Sequence, residues 1–395
     1  MPFHVAIDCR RIRDFGVGTY IRNLTRALAS LDRENRYTLI AHPNDLRAFE
    51  GFPANFQVLA YETPDTDWRE HLAFPVFLKR TGARIFHIPL HQVPMAMPRP
   101  YLVTVHDLSA LLYESQPGWK TQFARYRVRR ALARAARVIA VSGATRRDVI
   151  ELLGIEPRKI RQIYNAPDPR FLSPEVVGAD ARAAGPDAAR LYRARILERY
   201  QIHYPFILYV GNIRPQKNIP RLVEAFAHLI QGRDKITDHP AYKDLHLIII
   251  GDEIHRHPSV RLAVMHSRVD NRVRFLGFVP IDTLRVFYQS AAVFAFPSLY
   301  EGFGLPPLEA MAAGLPVVTS GVSSLPEVVG DAAVIVNPEN VFDIARGLRE
   351  ALVDEDLRRR LIEKGYQQVR RFSWEKTAAQ VLELYREVAR AEGVA

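Results

Sequence analysis

The stretch AVFAFPSLYEGFGLPPLEAMAAGLPVVTS, residues 292–320, decides the fold. It opens on a short apolar run, AVFAFP (292–297), and closes on another, PVVTS (316–320). Runs this short, rich in branched and aromatic side chains, read as buried strands. Gly302 and Gly304 open a turn after the first run, and Pro306 and Pro307 suit the first turn of a helix, where a missing N–H is no loss. The segment therefore reads as strand, loop, helix, strand. Glu301 falls in the loop at the strand's carboxyl end and Glu309 about one turn into the helix, with the backbone N–H groups of Phe303, Gly304 and Leu305 alongside. Ionised carboxylates only accept hydrogen bonds, so two of them here suit a ligand rich in hydroxyls. A helix-capping role for one glutamate is the alternative.

The same alternation runs outward in both directions. Candidate strands downstream of residue 200 are FILYVG (206–211), HLIIIG (246–251), VRFLG (273–277) and AVIV (333–336), with helices such as 218–231 and 340–352 between them. Upstream they are FHVAID (3–8), YTLIA (37–41), FQVLA (56–60), RIFHI (84–88), YLVTVH (101–106) and RVIAVS (137–142), with helical patterns over 18–31, 68–80, 118–136 and 143–153. Strands alternating with helices predict α/β domains with parallel sheets covered on both faces. At 395 residues, two such domains are expected. The predicted division is 1–172, a linker rich in Pro, Gly and Ala over 173–200, and 201–373; an amphipathic helix from about 374 to 395 is expected to pack back on the first domain. Two doubly wound domains facing a central cleft place ligands in strand-to-helix loops.

Composition excludes several classes. Hydrophobic residues at 48% and charged residues at 25% match a globular chain, not a disordered one. No run of about 18 apolar residues predicts a membrane-spanning helix, and MPFHVAIDCRR lacks the basic leader of a secretory signal. A cytoplasmic protein is expected. Cys9, the single cysteine, excludes an internal disulfide and a multi-cysteine metal site. The net charge of +11 is lopsided: residues 1–172 carry 26 basic and 16 acidic side chains, the remainder 28 and 27. Residues 115–147 hold nine cations, Arg125, Arg129 and Arg130 among them, and no acid. In 118–136 these arginines interleave with Phe123, Tyr126 and Val128. That pattern reads either as a solvated helix face or as a patch for an anionic membrane surface. Nucleic acid is not expected, because no binding motif accompanies the charge.

Two further loops carry candidate residues. DCRRIRDFGVGTY, after the first strand, has Gly16 and Gly18 where backbone can approach a ligand, ahead of a helix start that attracts anions; with no third glycine, a plain turn is the alternative. YVGNIRPQKN brings Arg214 and Lys217 to the start of helix 218–231, as a clamp for a diphosphate or as surface cations.

Taken together, Glu301-x7-Glu309, GVGTY, VTVHDLSALLY, VIAVSGATRRDV, YVGNIRPQKN, FLGFVP and SSLPEVVGDAAVIVNP resemble glycosyltransferase family 4, retaining enzymes of the GT-B fold. The resemblance covers most of the chain apart from 173–200 and the details of 42–82. It implies that Glu309 binds the ribose hydroxyls of a nucleotide-sugar donor. Glu301 contacts the transferred sugar with the Phe303, Gly304 and Leu305 amides, and Lys217 neutralises the diphosphate. The family more often has a second cation directly after the glycine, where this chain has Asn212; Arg214 is the expected substitute. His106 matches a histidine beside the reacting carbon, and Asp107 is the candidate acceptor contact. The resemblance implies no metal and no bound cofactor, a GDP-mannose donor ahead of UDP-sugars, and a glycan or polyprenyl-diphosphate-linked acceptor at the inner face of the cell membrane. A GT-B sugar-nucleotide epimerase, a soluble sucrose- or starch-type synthase, and a non-enzymatic nucleotide- or membrane-binding scaffold are the alternatives.

Overall fold

The computed structural model describes residues 2–63, 67, 69–113, 118–172 and 185–394. The chain divides into two units, one of residues 1–166 with 372–395, the other of residues 167–371. Each is built on an all-parallel sheet.

The first unit's strands are β1 (His4–Asp8), β2 (Arg36–Ala41), β3 (Phe56–Ala60), β4 (Ile85–Ile88), β5 (Tyr101–Val105), β6 (Arg137–Ala140) and β7 (Ile160–Gln162). They lie in the order β3-β2-β1-β4-β5-β6-β7, with β1 in register Val5 to Ile85 on β4 and His4 to Arg36 on β2. The second unit has β8 (Phe206–Gly211), β9 (His246–Gly251), β10 (Val273–Phe275), β11 (Val293–Phe296), β12 (Val317–Ser320) and β13 (Ala333–Val336) in the order β10-β9-β8-β11-β12-β13. β4, β5, β11 and β12 are buried along their whole length, which is why they read as short, mostly apolar runs. Each sheet grows in one direction and then in the other. The reversal falls between β1 and β4 in one unit and between β8 and β11 in the other, and ligands of open α/β sheets bind outside such points.

The helices begin and end for local reasons. Ser142 accepts from the Thr145 amide at 2.9 Å to start helix Gly143–Leu153, and Gly154, at φ +62°, stops it. The helix Trp374–Ala391 buries Trp374, Ala378, Val381, Leu382, Tyr385 and Val388, a stripe at helical spacing, and packs on helix Phe15–Leu31 of the first unit.

Three details differ from the sequence reading. Helix Phe15–Leu31 starts three residues early, so Gly16 and Gly18 lie inside its first turns. The three-residue β7 is too short to stand out as a strand. The stretch read as linker, 173–200, holds a helix, Gly185–Arg199, that belongs to the second unit, and the chain already enters that unit at Pro167; residues 173–184 lie outside the described residues.

Candidate active site

In the second unit the loops after β8 and β11 meet at the sheet's reversal. Asn218 takes a left-handed conformation (φ 61°) that asparagine tolerates, and its Nδ2 donates to the carbonyls of Pro297 at 3.0 Å and Pro338 at 2.7 Å. The Leu299 amide donates to the Gln216 carbonyl at 2.7 Å. Braced in this way, the loops bring Lys217 onto Glu301: Nζ donates to Oε1 at 2.6 Å and Oε2 at 2.7 Å. Both side chains are largely buried, 16% and 9% exposed. The Lys217 ammonium also lies 5.6 Å from the centroid of the Phe296 ring. Ser323 and Ser324, which the sequence reading passed over, fix the Glu301 backbone. The Glu301 amide donates to Ser323 Oγ at 2.8 Å, and Ser324 Oγ lies 2.9 and 2.7 Å from the carbonyls of Glu301 and Phe303.

Three polar atoms in the same two loops, Asn212 Oδ1, Gln216 Oε1 and Ser298 Oγ, are buried without a hydrogen-bond partner. Buried polar atoms are nearly always paired, so this cluster is one that a polar ligand would complete. Arg214 is exposed on the loop.

Gly304, at φ +109°, starts the helix Leu305–Ala312, and a Cβ there would lie 2.9 Å from Leu325 Cδ2. Pro306 and Pro307 carry no N–H, so the amides of Gly304 and Leu305 are what this helix start offers an anion. The Phe303 and Leu305 side chains are buried. One turn on, Glu309 Oε2 accepts from the Tyr288 hydroxyl at 3.0 Å. Burial pushes the Glu309 carboxyl up to about 7; Tyr288 and Arg170 pull it back and Asp168 adds to the rise. Asp168 and Arg170 form a two-pronged pair, Nε to Oδ1 and Nη2 to Oδ2, each 2.9 Å. Phe171 sets its edge against Tyr288 at 5.5 Å. The sequence reading missed this group because DPRFL (168–172) looks like the tail of the first domain.

In the first unit, β1 runs into the loop Cys9–Asp14 and then helix Phe15–Leu31. A Cβ on Gly16 would meet nothing within 4 Å, whereas one on Gly18 would lie 2.3 Å from the Ile12 carbonyl. Gly18 therefore serves the chain's own close approach, and Gly16 faces open space.

His106 follows β5. Its Nε2–H donates to the Pro89 carbonyl at 3.1 Å, and its ring meets Tyr20 edge-on at 4.9 Å. Burial drives its pKa down to about 4 against the opposing pull of Asp107 and the Pro89 carbonyl, with His91 adding to the fall. The imidazole is thus neutral at physiological pH. Asp107 Oδ1 accepts from the Ser109 amide at 2.8 Å and the Ser109 hydroxyl at 2.5 Å, at the start of the one-turn helix Ser109–Leu112.

The basic stretch forms helix Trp119–Arg134, whose Trp119, Phe123 and Tyr126 are 75%, 50% and 56% exposed. Arg129 is exposed and Arg130 half-buried. Arg125 is committed within the unit: its Nε donates to the Leu152 carbonyl at 3.0 Å.

Known proteins resemble this chain over most of its length. The family described as Glycosyltransferase Family 4 matches residues 16–171, and Glycosyl transferases group 1 matches residues 197–368. The chain is 30% identical over 305 residues to O-antigen chain mannosyltransferase B of Escherichia coli, covering 76% of this chain and 74% of that protein. Among solved structures it matches sucrose-phosphate synthase from Thermosynechococcus elongatus with a TM-score of 0.76 at 21% identity, over 98% of this chain and 100% of the other. It matches Anabaena HepE, solved in complex with UDP-glucose, with a TM-score of 0.74 at 16% identity, over 97% and 99%. Likeness at those identities establishes the GT-B fold. The relation to the E. coli enzyme extends it to the family: the chain belongs to glycosyltransferase family 4.

Proposed function

We propose that this chain is a retaining glycosyltransferase that moves a hexose, mannose first, from GDP-mannose to a glycan or polyprenyl-diphosphate-linked acceptor in cell-surface polysaccharide or glycolipid synthesis. The observation that carries the reading is the Lys217–Glu301 pair at the reversal of the second sheet, with three buried, unpartnered polar atoms in the same two loops. A donor diphosphate competes for the Lys217 ammonium and releases Glu301 to accept from the sugar's hydroxyls. Glu309, as a carboxylate, accepts from the ribose. The preference for mannose is supported by the name of the E. coli relative, and a sugar-nucleotide donor by the UDP-glucose complex of a neighbour of the same fold.

In the proposed reaction the acceptor oxygen bonds to the anomeric carbon on the face from which the diphosphate departs. The carbon–oxygen bond to phosphate breaks with its electron pair on the leaving group. The acceptor's proton passes to a diphosphate oxygen, giving a glycoside and a nucleoside diphosphate. Lys217 and the Gly304 and Leu305 amides stabilise the departing charge, so the mechanism calls for no metal. His106, neutral and beside the reacting carbon by resemblance, adds no positive charge next to an electron-poor ring.

The helix Trp119–Arg134 supports an acceptor held at an anionic membrane surface, because exposed aromatics interleaved with arginines suit the headgroup region. Among the described residues no helix is long and apolar enough to cross a membrane. The likeness to sucrose-phosphate synthase favours a second reading, transfer to a soluble sugar phosphate. One experiment tests both: melting temperatures with a panel of GDP- and UDP-sugars, then transfer to lipid-linked and soluble acceptors. GDP-mannose should give the largest rise. A chain stabilised by no sugar nucleotide would overturn the proposal.

A further inference from the structure

His87 is fully buried at the centre of the first sheet, yet both its ring nitrogens are engaged. Nδ1 is 2.6 Å from the Tyr385 hydroxyl, on the helix Trp374–Ala391, and Nε2 is 2.8 Å from Thr104 Oγ1 on β5. Thr104 Oγ1 is in turn 3.0 Å from the Tyr20 hydroxyl on helix Phe15–Leu31. The Tyr20 ring is wedged edge-on against three neighbours, His106 at 4.9 Å, Trp374 at 6.0 Å and His87 at 6.4 Å. Four side chains from four elements thus form one hydrogen-bonded line, and its free end is the ring surface that seats His106.

A polar line through an apolar core is expensive to bury unless every member is satisfied. An apolar set of the same volume would hold the helix to the sheet as well. What the line adds is orientation: each hydroxyl fixes the next ring. The line therefore pins the Tyr20 hydroxyl and with it the place of the ring, and Tyr20 together with the Pro89 carbonyl determines where the His106 ring stands.

We propose that Tyr385, His87 and Thr104 are positioning residues for His106, so that the helix Trp374–Ala391 sets the geometry of the histidine beside the reacting carbon. The inference rests on the reading of His106 given above. His91 and Asp107 are the titratable groups that also face His106, and neither belongs to the line.

Tyr385→Phe and Thr104→Val each break the line at a different link while keeping shape, and Thr104→Ser restores the hydroxyl. The experiment follows the His106 ring signal by NMR against pH, with kcat and donor KM measured in parallel. Both breaking variants should move the His106 titration midpoint upward by at least one pH unit. They should lower kcat fivefold or more with donor KM within twofold, and Thr104→Ser should return both to parent values. A merely structural role would lower the melting temperature and leave the His106 midpoint in place. If His106→Ala transfers at the parent rate, the reading and the inference both fall. If His106→Ala is inactive while Tyr385→Phe and Thr104→Val keep the parent midpoint and kcat, the inference alone is overturned.

Discussion

Lys217 and Glu301 stand in the loops that follow neighbouring strands, 84 residues apart in sequence, and satisfy each other's charge through two contacts of 2.6 and 2.7 Å. In the proposed reaction the donor exchanges one of these partners for its own groups. Glu301→Gln should therefore lower transfer about 100-fold, roughly 2.7 kcal/mol of transition-state stabilisation, while GDP alone binds at least as tightly because Lys217 loses a competing counter-ion. Lys217→Met strands a buried carboxylate and should cost about 3 kcal/mol of stability along with donor affinity. Isothermal titration with GDP and GDP-mannose separates the two outcomes.

Burial pushes the Glu309 carboxyl up to about 7, so in the proposed donor site its capacity to accept from ribose hydroxyls grows as pH rises through neutrality. Donor affinity should increase several-fold between pH 6 and pH 8 and become flat in Glu309→Gln. The stability consequence has the opposite sign. The folded carboxyl keeps its proton up to about 7 while the unfolded one releases it near the ordinary value of 4.5, so stability falls as pH rises across that window. Glu309→Gln should accordingly raise the melting temperature at pH 8 and leave it nearly unchanged at pH 4.5.

His87, held to about 3 by burial, with His106 adding to the fall, works in the other direction. Its neutral form is favoured by the fold, so the stability it contributes is present above 6.5 and lost as pH falls below that value. At pH 5 an unfolded imidazole gains about 2 kcal/mol from protonation that the buried one forgoes. Denaturant unfolding at pH 7 and pH 5 should show a smaller loss in His87→Gln than in the parent, whatever their absolute stabilities.

Gly16 and Gly18 should separate cleanly. Gly18→Ala drives a methyl into the Ile12 carbonyl at 2.3 Å and should destabilise the first unit by about 1–3 kcal/mol. Gly16→Ala has open space and should fold with parent stability. If backbone approach at this helix start holds the donor, Gly16→Ala should still raise donor KM several-fold.

Replacing Arg125, Arg129 and Arg130 with Gln is expected to lower binding to anionic vesicles. Arg125 spends its Nε on Leu152, so the double replacement of Arg129 and Arg130 should retain most of that loss. Trp119→Ser should lower binding to neutral vesicles as well, since its contribution is apolar. Co-sedimentation with vesicles of both compositions reads the three effects. Equal binding by all variants would remove the membrane from the proposal.

The strands were legible because β4, β5, β11 and β12 are buried on both faces and are mostly apolar in consequence. Lys217 and Glu301 were legible only as separate candidates in strand-to-helix loops, where ligands of such sheets bind; their direct ion pair, across 84 residues, carries no mark in the sequence. β7 escaped notice with only three residues, IRQ, one of them apolar. Helix Gly185–Arg199 has no apolar stripe to set it apart from its Pro- and Gly-rich approach. Asp168 and Arg170 carry no local mark of their nearness to Glu309; the chain's crossing into the second unit creates it. Tyr20, Thr104, His87 and Tyr385 each look like ordinary core residues. Their alignment exists only once four elements are packed.

The helix Trp374–Ala391 completes a unit whose other residues end at 166. During synthesis the first sheet emerges and then waits for about 200 intervening residues, roughly 10–40 s at 5–20 residues per second. Until Trp374, Val381 and Tyr385 leave the ribosome, the face of helix Phe15–Leu31 they cover stays open and His87 lacks its last partner. The second unit is a continuous segment and is free to mature first. Order of birth and order of completion are thus reversed in this chain, which makes the half-built first sheet the stage most in need of a chaperone.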